Sequence, residues 1–152
     1  MNKNLFEYTL RLGDTSLILS QRLGEWCGHG PVLEEDIALT NIALDLLGQA
    51  KAFLAYAGEI EGKGRSEDSL AFHRDANQFR NMLLTEQPNV DFGCTIVRQL
   101  FVSAWQHYLY SELTQSTDKN ISALAVKSLK EVNYHLRYAS DWTMRLGDGT
   151  EE

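Results

Sequence analysis

"IALTNIALDLLGQAKAFLAYA", Ile37 to Ala57, decides the class of this fold. Leu39, Ala43, Leu46, Ala50, Phe53 and Ala57 recur at spacings of three and four, and Ile60 continues the line. That recurrence is one stripe of an α-helix. Ile42, Leu44, Leu47 and Leu54 cover other faces, so a helix is expected over about 32–61, buried on most sides. Asp45 is the one acid in the run. An unpaired charge there is costly, which calls for an Arg or Lys partner.

Helical spacing continues on both sides. Before this run, Leu5, Tyr8, Leu12, Leu19, Leu23 and Trp26 form a stripe. "CGHGP" (27–31) ends that helix, and Pro31 is placed to open the next, with Glu34, Glu35 and Asp36 at its dipole-favoured first turn. "GEIEGKGRSED" (58–68) reads as a solvated, mobile connection. A shorter helix is expected near 69–86, with Phe72, Ala76, Phe79 and Leu83 on one face. Asn89 or Asp91 then caps a third long helix from Phe92 to about Ser116, with Val97, Phe101 (or Leu100), Ala104 and Tyr108 as its core stripe. "TDKN" turns the chain into a fourth, from Ile121 to about Leu146, whose stripe is Ile121, Ala125, Leu129, Val132, Leu136, Ala139 and Leu146.

Four long helices with short connections predict an all-α, antiparallel four-helix bundle, one domain over residues 1–152. The closing "LGDGTEE" reads as much like a linker to missing closing helices as like a terminus. The formal charge of −7 argues against nucleic acid and against acidic lipid as partners. No signal peptide and no run of 18 apolar residues is evident, so the expectation is a cytoplasmic chain with no membrane span. Cys27 and Cys94 are far apart and are read as reduced, partly buried thiols.

A bundle of this kind can hold a carboxylate-bridged di-iron centre, and "KEVNYHLRYA" (130–139) brings Glu131 and His135 to one helix face. The recipe is strict: a Glu from each of two helices and Glu-x-x-His from each of the other two. None of the four histidines follows an acid at that spacing. Asp45 sits at a plausible ligand position, but the residue three further on is Gly48. The third helix has no acid between Asp91 and Glu112. Glu131 and His135 therefore read as a polar pair flanking the core, with Leu124, Tyr138 and Trp142 on the same stripe and a solvent-facing pair as the alternative. Asp45 is a candidate third member of that buried polar cluster. No glycine-rich phosphate loop and no local nucleophile arrangement stands out, and no catalytic or cofactor-binding residue is assigned. Among the aromatics, Trp105, Tyr108 and Tyr110 are candidates for an interface, with packing inside the bundle as the alternative.

Several stretches are more specific than any periodicity. "LSQRLGEWCGH", "LDLLGQA" and "EQPN", within matches that run through nearly the whole chain, resemble the C-subunit family of phenylacetyl-CoA epoxidase. Chains of that family are longer, so this one resembles their N-terminal portion. The resemblance implies a ferritin-like bundle in a bacterial multicomponent, NADPH-dependent monooxygenase of aerobic phenylacetate breakdown. It implies a structural, non-catalytic component without its own cofactor. The partners implied are a di-iron catalytic A subunit and the other oxygenase subunits, with self-association as a further possibility. By the same resemblance, Gly48 stands where a metal-binding relative has a histidine, and Tyr134 fills the equivalent place after Glu131. The alternatives are a stand-alone metal-dependent oxidase or ferroxidase, and a helical adaptor unrelated to oxygenation.

Overall fold

The computed structural model describes residues 2–149, and everything in it beyond turns and loops is helix. The all-α class expected from the periodicity is found. The helices are α1 (Lys3–Gly24), α2 (Leu33–Glu61), the short α3 (Glu67–Phe72), α4 (Phe92–Leu113) and α5 (Lys119–Gly147). By its internal contacts the chain divides into two compact units, Met1–Gln87 and Pro88–Glu152. The last residues of the glycine-rich end, 150–152, lie outside the described residues.

The first unit is built on the α1–α2 hairpin. Asn2 caps α1 by accepting the Leu5 N–H at 3.2 Å. Phe6, Leu10 and Leu17 pack with Ala50, Leu54, Ala57 and Leu70 to form its core. A Cβ on Gly13 would lie 2.8 Å from the Leu54 side chain, so the bare glycine lets the two helices close up. Ser20 Oγ donates to the Ala43 carbonyl at 2.8 Å, a second tie between them. Between the helices, Asp36 Oδ2 accepts the N–H groups of Gly28 (2.7 Å) and Gly30 (3.1 Å). Asp36 thus binds the incoming loop as well as complementing the helix dipole. The helix begins at Leu33 with Val32 as N-cap, two residues after Pro31.

α2 is less enclosed than its composition led us to expect. Leu39, Ile42, Leu46, Phe53 and Leu54 are buried, but Leu33, Ile37, Leu44 (60% exposed) and Leu47 face outward. By length and composition alone it is apolar enough to cross a membrane. The core helix of a soluble protein meets the same test. The helix runs to Glu61 and stops at Gly62, whose φ of +70° is the left-handed conformation that favours glycine. The connection thought mobile is only 62–66 and is pinned. The buried Glu61 carboxylate accepts from Arg65 Nε and Nη2, both at 2.6 Å.

The helix expected near 69–86 is not continuous. α3 ends at Phe72, and single 3-10 turns follow at Ala76–Gln78 and Leu83–Glu86. Phe72 and Leu83, expected in a core stripe, are exposed, while Phe79 is half-buried. Asp14 on α1 ties down this broken segment and takes the backbone N–H of Arg80, which a continuous helix would pair internally. Its carboxylate accepts from both Nη atoms of Arg74 (Nη1 at 2.9 Å) and from the backbone N–H of Arg80 at 2.8 Å.

The second unit is the α4–α5 hairpin. Asp91, one of the two expected caps, accepts the Cys94 N–H at 2.6 Å, while Asn89 instead accepts from Arg98 Nη2 at 2.6 Å. Asp118 caps α5 by accepting from Asn120 and Ile121, each at 3.0 Å. Three contacts fix an antiparallel register. Phe92 meets Trp142 edge-on at 5.1 Å, His107 Nδ1 lies 2.7 Å from Asn133 Oδ1, and Ser122 Oγ donates to the Thr114 carbonyl at 2.6 Å. On α5, Ile121, Ala125, Val132 and Ala139 are buried as expected, Leu129 and Leu136 are half-buried, and Leu146 is exposed. On α4 the expected face is the wrong one: Val97, Phe101 and Tyr108 are exposed, and Ile96, Gln99, Val102, Ser103, Gln106 and Tyr110 are buried.

Candidate functional site

Each unit encloses polar side chains: Asp14 and Arg74 in the first, and Arg98, Gln99, Ser103, Gln106 and His135 in the second. On α5, Ser128, Val132, His135 and Ala139 share one buried face at spacings of three and four. His135 is 0% exposed, so it lies in the core rather than on its flank, where the sequence had placed it. Glu131, one turn before it, is half-buried. Asp45 belongs to the other unit and is half-buried on α2. Glu131 and His135 thus share one helix within the second unit, and Asp45 is on a different unit.

A di-iron centre needs anionic oxygen donors from several helices. The buried polar positions of α4 are instead Thr95, Arg98, Gln99, Ser103 and Gln106. Arg98 is a cation, the rest are neutral, and none is a ligand type suited to bridging two irons. Among the described residues, no group of three or more His, Cys, Asp or Glu is arranged to hold a metal ion. This donor set does not fit a di-iron centre.

A buried charge pair went unnoticed in the sequence. The side chains of Asp14 and Arg74 are 0% and 3% exposed, and they pair across 60 positions of chain. Arg74 also donates through Nε to the Leu70 carbonyl and lies 4.2 Å over the centre of the Phe79 ring. One local signal did exist: Asp14 falls between Leu10 and Leu17 on the buried stripe of α1. Nothing in the sequence marked Arg74 as its partner.

Glu61 and Cys94 are among the groups whose acidity is shifted. The Arg65 fork beside Glu61 holds that carboxyl below its ordinary value, against the opposing effect of burial. Cys94 Sγ lies 3.5 Å from Asp91 Oδ2, and hydrogen bonding to that carboxylate pushes the thiol up. Both cysteines are free and exposed rather than partly buried. Cys94, with its raised pKa, is poorly suited to act as a thiolate nucleophile. Of the three candidate interface aromatics, Tyr108 is 72% exposed, Trp105 is half-buried and Tyr110 is fully enclosed. Only Tyr108 and part of Trp105 are available to a partner.

Comparison with known proteins gives this arrangement its context. One curated relative, the C subunit of 1,2-phenylacetyl-CoA epoxidase from Escherichia coli (strain K12), is 57% identical over 147 residues, which is 97% of this chain. The match covers 59% of the relative, so the chain spans about three-fifths of that protein's length. The family described as phenylacetic acid catabolic protein matches residues 1–152. With its entire length matched, the chain belongs to the phenylacetic acid catabolic protein family.

Proposed function

We propose that this chain is a non-catalytic, cytoplasmic component of a phenylacetyl-CoA epoxidase, supporting a separate subunit that carries a di-iron centre. The observation that carries the reading is the 57% identity, over nearly the whole chain, to a protein named as the C subunit of that epoxidase. The donor set supports it from the chemical side. Where a metal-binding bundle needs carboxylates, α4 buries the amides of Gln99 and Gln106 and the hydroxyl of Ser103. Gly48, three residues after Asp45, has no side chain to contribute. On this reading Asp45, Glu131 and His135 are the polar remainder of a metal-binding architecture, and this chain holds no cofactor of its own.

The test is co-expression with the catalytic subunit, followed by metal analysis. The chain is expected to co-purify with that subunit, and iron is expected to follow the catalytic chain in amount. Stoichiometric iron retained by this chain alone after loading overturns the reading in favour of a self-sufficient oxidase. Failure to co-purify favours an unrelated helical adaptor.

A further inference from the structure

Gln99, Ser103 and Gln106 lie on one face of α4, at i, i+4 and i+7, and all three are fully enclosed. Gln99 Nε2 donates to Ser103 Oγ at 2.8 Å. Among the described residues, no protein group meets Gln99 Oε1, Gln106 Oε1 or Gln106 Nε2. A primary amide carries two N–H donors and an acceptor oxygen with two lone pairs. Ser103 already accepts from Gln99, which leaves its own proton to donate. The face therefore offers donors and acceptors side by side, since helix residues three and four apart are neighbours.

Native proteins leave few enclosed polar atoms unsatisfied. Bulk solvent and a partner chain are not available to these three residues, because none of them has exposed surface. What remains is a small guest inside the fold. The three side chains carry no charge, which suits a neutral molecule that both donates and accepts. We infer that ordered internal water binds along this face of α4, bridging Gln99 Oε1 to the Ser103 hydroxyl and satisfying the Gln106 amide. Such a water needs two to four polar partners, and this face supplies that number. The inference concerns only this chain's interior and is independent of the proposed role in an epoxidase.

The test uses the full chain and two readouts. Oxygen-17 relaxation dispersion counts long-lived internal waters in solution, and a high-resolution crystal structure locates them. Both are expected to show ordered oxygens within hydrogen-bond distance of the Gln106 amide. In Gln106→Met, a close match in volume, the dispersion amplitude is expected to fall and Tm to drop, because the waters lose a partner. A dry amide in the crystal structure, or a rise in Tm in Gln106→Met, overturns the inference. If that variant does not fold, the dispersion and the density of the unaltered chain decide by themselves.

Discussion

Replacing Asp14 with Ala removes the acceptor for three N–H groups at once, two from Arg74 and one from the backbone of Arg80. The Arg74 guanidinium, 3% exposed, then stays enclosed with only the Leu70 and Gln78 carbonyls and the Phe79 ring for company. Breaking a buried pair from one side costs about 3–5 kcal/mol. For a chain of this size, each kcal/mol moves Tm by roughly 2–4 °C, so a fall of about 6–20 °C is expected. Asp14→Asn keeps one acceptor oxygen, and the expected loss is about half as large. The assay is urea and thermal unfolding followed by circular dichroism, with Arg74→Met and the double variant completing a cycle. The double variant is expected to be more stable than Asp14→Ala alone, with a coupling of at least about 2 kcal/mol. A single-variant loss below about 1 kcal/mol, or a coupling near zero, refutes the claim that this pair holds the 74–80 segment on α1.

Three other perturbations follow from the same geometry. A Cβ on Gly58 would overlap the Arg65 carbonyl oxygen, a backbone atom, so Gly58→Ala is expected to lower stability by about 1–3 kcal/mol in urea unfolding. Glu61 is held below its ordinary value, so its contribution is present above the unfolded carboxyl pKa and is lost as pH falls through the folded one. Glu61→Gln should therefore flatten the acid side of the stability–pH profile, and an unchanged profile would count against the Arg65 fork. Asp118→Ala deprives two N–H groups of their acceptor at the start of α5 and should cost about 1 kcal/mol, read as a shift in the urea midpoint at constant slope.

The long helices and their ends were legible because their signals are local. Asp91 caps α4, Gly62 ends α2, and Ile121, Ala125, Val132 and Ala139 of the α5 stripe are buried, all from residues within a few positions of each other. Two misreadings share another cause. On α4 the apolar residues Val97, Phe101 and Tyr108 spell out a convincing stripe, yet the helix buries the neighbouring face with its amides. Hydrophobic spacing finds the right face only when polar residues stay outside, and here Gln99, Ser103 and Gln106 do not. The break after Phe72 was equally hidden, and the Asp14 that ties down the segment after it lies 60 positions away from Arg74. As for the candidate site, the lack of acids on α4 was plain in the letters. The enclosure of His135 was not, since its burial depends on packing rather than on its neighbours in sequence.

The tie between Asp14 and the 74–80 segment also sets an order of events during synthesis. Helices α1 and α2 are adjacent in the chain, so their hairpin can pair as soon as Glu61 has emerged, at little cost in loop closure. At that moment neither Arg74 nor Arg80 is yet available, and the Asp14 carboxylate remains hydrated on an unfinished surface. Its burial is deferred until the ribosome has delivered the guanidinium that neutralises it. The nascent hairpin is thereby spared an isolated charge in its interior, and the first unit closes only once its own sequence is complete.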